Sequence, residues 1–353
     1  MLSPSLRLSK RALLSLAALA TSAAVLSACA EPSESEDAAA TTATADGEKT
    51  ILTVYTSEPE AKVDEINAAF MAAHPEIEVE VYRAGTGDLN ARIAAEKESG
   101  DIEADVLWAA DSPTFETYAA EGDLAQLQDI DTADLIEEAV DEDGYYVGTR
   151  IIPTVIAYNS ELVKESELPQ SWADLTDPKY AGQLVMPDPA VSGAAAFNAS
   201  VWKNDENLGE EWINALGENA PMIAASNGPT SQEIAGGGHP IGIVVDYLVR
   251  DLAAEGSPID LLYPSDGVPF ITEPAGVFEA SENKEAAELY INFLLSEEAQ
   301  QIAVEQNYLP VREDVGTPAG APALADIALM TPDLQVVTDD KDAAVELFQN
   351  AMN

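Results

Sequence analysis

The chain has 353 residues, 46% of them hydrophobic and 23% charged, which is enough for two lobes with a core each. Its 64 acidic side chains outweigh 16 basic ones to a net of −48, a surface that repels nucleic acid and anionic lipid. Cys29 is the only cysteine, which excludes an intrachain disulfide and a metal site built on thiolates.

Arg7, Lys10 and Arg11 precede an apolar run, Ala12 to Val25, that is too short for an ordinary membrane span. Leu26, Ser27 and Ala28 then lead to Cys29, an ending that resembles a bacterial lipobox. The resemblance implies a lipoprotein signal peptide over residues 1–29, with Cys29 lipid-modified and standing as the mature N-terminus. Without that segment 13 basic residues face 64 acidic ones, a net of −51. Residues 30–48 carry no large apolar side chain and read as a flexible tether. In so negative a field an anionic ligand would need a strong local cradle.

After the tether, Ile51 to Tyr55 reads as a strand, with Ser57 in the turn that follows. Ala61 to Ala73 is an amphipathic helix, its Val63, Ile66, Phe70 and Met71 recurring at helical spacing. His74, ahead of Pro75, reads as a surface stop. Ile77 to Tyr82 alternates as a half-buried strand. Ala84 to Asp88, with Thr86 inside, is a tight turn into a helix from Leu89 to Lys97; it lacks the Gly-Lys-Ser/Thr ending of a nucleotide-binding loop. Asp105 to Ala109 and Thr114 to Ala120 give a third strand and helix. This alternation predicts a parallel sheet with its ligand loops at the strands' C-terminal ends.

Tyr145 to Tyr158 is a long β-rich run, broken by Pro153, that reads as a strand leaving one lobe for another, with Tyr145 and Tyr146 on an exposed hairpin edge. Leu184 to Met186 is a short strand stopped by Pro187 and Pro189. Ser192 then stands at the N-cap position of a helix through Trp202. Gly193 and Ala194 leave that helix start bare, so it is either an ordinary capped helix or an anion cradle of unpaired N–H groups and positive dipole. Met222 to Tyr247 reads as strand, polar turn, helix, glycine turn and buried strand. Asn227 lies in the polar turn, while Asp246 and Tyr247 stand at the last strand's end. A carboxylate there either meets a cation or donors, or is solvated. His239 lies at the opposite end of that strand. Val268 to Phe278 is a second β-rich crossing, and helices follow at Lys284 to Leu295 and Ser296 to Gln306.

Taken together, Leu52 to Ser57, Tyr82 to Gly87, Ala104 to Trp108, Trp172 to Tyr180, Met186 to Ala194, Val245 to Tyr247 and Tyr308 to Arg312 resemble the type II extracellular solute-binding proteins of ABC importers. The resemblance is to the branch that includes ferric-ion, 2-aminoethylphosphonate and hexose-phosphate binders. It implies an α/β fold of two lobes, each a mixed, mostly parallel sheet flanked by helices, joined by a β hinge. Residues 49–152 with 276–353 would form the first lobe, and 153–275, including hinge strands, the second. The expected protein is a non-enzymatic, lipid-anchored monomer outside the cytoplasm that meets the membrane only through its anchor. It would take no cofactor and pass a small anionic organic solute to permease subunits.

The resemblance also divides the ligands. Ferric binders hold iron with a histidine, a glutamate and two adjacent tyrosines, positions that fall on Pro59, Ala110, Asp246 and Tyr247 here; only the last survives. Iron(III) requires several anionic oxygen donors. The helper-anion cradle of those proteins matches Ser192, Gly193 and Ala194. The expectation is therefore a phosphorylated or phosphonate solute, held at Ser192, Gly193 and Ala194 with donors from Ser57, Thr86 and Asn227. Asp246 would accept from its far end and Tyr247 would stack or donate. Ferric binding is the alternative. An extracellular phosphoesterase is the rival class, yet both histidines adjoin proline and no Gly-x-Ser-x-Gly elbow occurs.

Overall fold

A computed structural model describes residues 49–100 and 102–352. The proposed signal peptide, tether and Cys29 lie outside the described residues. Twelve strands and ten helices follow in the order β1 (Thr50–Thr56), α1 (Glu60–Ala73), β2 (Ile77–Arg83), α2 (Thr86–Ser99), β3 (Val106–Trp108), α3 (Ser112–Glu121), β4 (Tyr146–Gly148) and β5 (Arg150–Asn159). Next come β6 (Leu184–Pro187), α4 (Gly193–Asn204), α5 (Gly209–Glu218), β7 (Met222–Ala224), α6 (Asn227–Gly236), β8 (Ile241–Val245), α7 (Asp246–Ala254) and β9 (Ile259–Leu262). The chain closes with β10 (Phe270–Ile271), β11 (Pro274–Val277), α8 (Lys284–Leu294), α9 (Glu297–Glu305), β12 (Leu309–Pro310) and α10 (Leu334–Ala351).

The first sheet has the order β2-β1-β3-β11-β4. Its β1, β2 and β3 are parallel, as the βα alternation requires, while β11 runs antiparallel to both β3 and β4. Both faces are covered. Val54, Val106 and Trp108 meet Phe70, Tyr290 and Ile291 on one side, and Tyr55, Leu107 and Phe115 meet Leu89 and Ile93 on the other. Helices on both faces explain why β3 is apolar without a break.

The second sheet runs β10-β5-β8-β6-β7, with β9 and β12 also paired to β5. It too is mixed: β6 is parallel to β7 and β8, and β5 is antiparallel to β8. The long β-rich run divides at Thr149 into β4 in the first sheet and β5 in the second, and the second run divides likewise into β10 and β11. The two sheets are thus joined by paired crossing strands.

Two features depart from the sequence reading. Tyr146 lies on the edge strand β4 but is buried, its ring 5.6 Å from Phe115 and its hydroxyl donating to Glu116. The C-terminal helix α10, expected with the first lobe, packs chiefly on α4 and α5 and also touches α3 of the first lobe, where Lys341 donates to Asp111 and Thr114. Val337, Ala344 and Phe348 enter the second core, where Phe348 meets Trp202 beside Trp172 and Trp212. Burying that apolar stripe against three indoles gains more than leaving it on an already covered first sheet.

Candidate functional site

The loops after β1, β2 and β3 face the loop before α4 and the starts of α6 and α7. Between them lies a cavity of about 530 Å³. Seven of the eight residues expected at a ligand site line it: Ser57, Thr86, Ser192, Gly193, Ala194, Asn227 and Tyr247.

Ser192 is the N-cap of α4, its Oγ accepting the Ala195 N–H at 3.3 Å. The same oxygen accepts from Asn227 Nδ2 at 2.9 Å, and Asn227 Oδ1 accepts the Val245 N–H at 3.3 Å. With both lone pairs engaged, the serine hydroxyl proton is free to donate. Ser57 Oγ likewise accepts the Ala110 N–H at 3.2 Å and keeps its proton. Within the described residues the amides of Gly193 and Ala194 make no hydrogen bond, although both residues are buried. Two free amides, two hydroxyl donors and the positive end of a 12-residue helix gather hydrogen-bond donors and partial positive charge at the cavity wall.

Gly193 is bare for a reason the sequence did not show. A Cβ there would lie 2.5 Å from the Ala110 carbonyl oxygen, 2.8 Å from Thr86 Oγ1 and 2.9 Å from Asp111 Cβ. Its missing side chain admits the opposing loops as well as any ligand. The Gly87 N–H donates to the Val191 carbonyl at 3.3 Å in the same contact.

Asp246 does not reach the cavity. It opens α7 as the first helical residue, fully buried, and accepts from Arg250 at 2.6 Å and Tyr263 at 3.2 Å. Burial pushes its carboxyl above the usual aspartate range, against the pull of Arg250 and the Tyr263 hydroxyl. The i,i+4 spacing of Asp246 and Arg250 was the available sequence signal. Tyr247 does line the cavity, yet its ring stacks on Tyr308 with centroids 4.2 Å apart, and Lys62 Nζ sits 4.7 Å from its centre. Burial raises its phenol well above the ordinary value.

Three charged cavity residues were not anticipated: Glu58, Arg83 and Asp88. Glu58 is buried and accepts from Arg150 at 3.0 Å and from the Tyr308 hydroxyl at 2.6 Å. Burial alone would raise its carboxyl, but the Arg150 charge, with the hydrogen bond from Tyr308, holds it below the usual range. Arg150 lies between the rings of Trp108 and Tyr308, and its Nε is also 3.0 Å from Glu273. Glu273 is fully buried, and burial followed by repulsion from Glu58 pushes its carboxyl well above the ordinary value. Arg150 begins β5 and Glu273 precedes β11, so this charged node sits where both strands cross between the sheets.

Among the described residues no group of three or more His, Cys, Asp or Glu side chains is placed to hold a metal ion, and no helix is long and apolar enough to cross a membrane.

Two sheet-based lobes around a cleft lined with hydrogen-bond donors define a receptor for a small solute. Residues 101–337 match the family model of the bacterial extracellular solute-binding proteins, and the chain belongs to that family. It is a binding protein and not an enzyme. A candidate 2-aminoethylphosphonate-binding periplasmic protein of Salmonella typhimurium is 29% identical over 255 residues, covering 68% of this chain and 71% of the relative. Among solved structures, iron-bound HitA from Pseudomonas aeruginosa superposes with a TM-score of 0.76 at 24% identity, over 86% of this chain and 99% of that one. The periplasmic binding protein AfuA from Actinobacillus pleuropneumoniae, with fructose-6-phosphate bound, gives 0.78 at 20% identity over the same shares. At these identities the two structures establish the fold alone.

Proposed function

We propose that this protein captures a small phosphorylated or phosphonate organic solute between its lobes and delivers it to the permease of an ABC importer. The observation that carries the reading is the α4 N-terminus, where the Gly193 and Ala194 amides are unpaired beside a Ser192 hydroxyl left free to donate. Each charge-assisted hydrogen bond to a phosphoryl oxygen contributes about 1.5–3 kcal/mol. Ser57 and Thr86 reach the cavity from the first sheet's loops, so the ligand would tie the lobes together and stabilise the closed state. Cys29 would carry the lipid anchor, residues 30–48 would let the receptor reach its permease, and the working unit would be a monomer.

The names of relatives point to both phosphorus compounds and iron. Against iron stand Pro59 and Ala110 at two of the four ligand positions, the diversion of Asp246 to Arg250, and a Tyr247 phenol held protonated by burial. Native mass spectrometry of the purified mature protein tests the reading through the mass of what co-purifies. A bound phosphorus compound supports it. A visible tyrosinate-to-iron band on adding ferric citrate, with no binding of phosphorus compounds, overturns it.

A further inference from the structure

Every described lysine and arginine except Arg83 has a carboxylate oxygen within 4.0 Å. In a chain with four acidic residues for each basic one, pairing is the default, and a single unpaired cation needs an explanation. Arg83 is that cation, and it lines the solute cavity at the end of β2. It is also aimed. Nε donates to the Glu58 carbonyl at 3.0 Å and Nη2 to the Ser57 carbonyl at 3.3 Å, which fixes the guanidinium plane. A guanidinium has five N–H donors, so three remain for a partner. Those three offer the forked geometry that suits a carboxylate or a second phosphoryl group.

The opposite requirement, an acceptor for a cationic ligand end, is poorly met. Asp246 is turned away to Arg250, and Glu58 is a buried side chain whose Oε2 is already shared by Arg150 and Tyr308. Asp88 does line the cavity, but it lies in the first turn of α2, where the helix dipole accounts for an acidic side chain.

Resting on the phosphoryl reading above, we propose that the solute carries a second anionic group and that Arg83 is the residue that selects it. The phosphoryl end sits on α4 of the second lobe and the other acid on Arg83 of the first, so both ends must be bound for the cleft to close around the solute. The ligand class is then a short phosphono- or phosphocarboxylate, or a bisphosphate, rather than an aminophosphonate or a neutral sugar phosphate.

Isothermal titration with four probes tests this: 3-phosphonopropionate, propylphosphonate, 2-aminoethylphosphonate and succinate, each against the wild type, Arg83→Gln and Arg83→Lys. The wild type should bind 3-phosphonopropionate about 10–100-fold more tightly than propylphosphonate, the range of one charge-assisted contact. Arg83→Gln should abolish that preference while leaving propylphosphonate within about threefold, and Arg83→Lys should restore part of it. A tighter hold on 2-aminoethylphosphonate than on 3-phosphonopropionate would overturn the role of Arg83 and leave the phosphoryl reading standing. So would an Arg83→Gln variant, with an unchanged unfolding midpoint, that weakens every probe equally. Arg83-dependent binding of succinate without any phosphonate would do the reverse, sustaining Arg83 and sinking the phosphoryl reading. No binding of any probe would overturn both.

Discussion

Replacing Gly193 with alanine adds one methyl group at the point where the lobes meet. The new Cβ would stand 2.5 Å from the Ala110 carbonyl oxygen, against 3.4–4 Å for ordinary contact. The carbonyl cannot swing aside cheaply, because the amides on either side of it are bonded, Ala110 to Ser57 Oγ and Asp111 to the Ala109 carbonyl. Overpacking of this kind costs about 1–3 kcal/mol. The protein can avoid that cost by separating the lobes, since each keeps its own core. The closed population, and with it the affinity for 3-phosphonopropionate, should therefore fall about 5–150-fold. The unfolding midpoint should move by no more than a few degrees. Small-angle scattering should show a larger radius of gyration for Gly193→Ala in the presence of that compound, and titration calorimetry gives the affinity. Gly236→Ala is the control, because nothing lies within 4 Å of a Cβ there. Wild-type affinity and compact scattering in Gly193→Ala would refute the reasoning, as would a collapse of stability comparable to a core deletion.

Ser192→Asp places a carboxylate in the anion corner and should abolish phosphonate binding by more than about 100-fold in titration calorimetry, while the N-cap, which aspartate serves as well as serine, stays intact. Asp246→Asn should leave phosphonate affinity within about threefold, since that carboxylate faces Arg250 and not the cavity. Arg150→Met should destabilise the protein by about 3–5 kcal/mol in urea unfolding, because Glu58 loses its buried partner, and adding Glu58→Gln should recover part of the loss. Glu273 has a folded pKa above its unfolded one, so its stabilising contribution is complete below the unfolded pKa and is lost as pH rises through the folded one. Glu273→Gln should thus match the wild type in acid and exceed it in unfolding midpoint above that folded pKa.

The sequence carried the sheets and most of the cleft because both are written locally. The apolar run Leu184 to Met186, its two prolines and Ser192 specify a strand, a turn and a capped helix without reference to anything distant. The paired β-rich runs likewise announced strands shared between lobes. The charged node could not be read this way. Glu58, Arg150, Glu273 and Tyr308 are separated by scores of residues, and only the crossing of two strands beside the cleft brings them together. Arg83 lay inside a motif that resembled the family, but its meaning depends on what every other cation is doing. Asp246 was misplaced because a strand end and a helix start look alike when Val245 is followed directly by helix. The destination of α10 depends on an aromatic cluster assembled from residues 172, 202 and 212, which no local pattern reveals.

The placement of α10 also bears on the order in which the protein can be made. Val337, Ala344 and Phe348 complete the core built from Trp172, Trp202 and Trp212, and β11 of the first sheet arrives only after β5 to β10 of the second. Neither half is therefore finished until its late-arriving element, β11 or α10, has joined it, and contacts between segments so far apart in sequence make for slow collapse. For a receptor whose family works outside the cytoplasm, that arrangement delays closure, keeping the chain pliable until its late segments are in place.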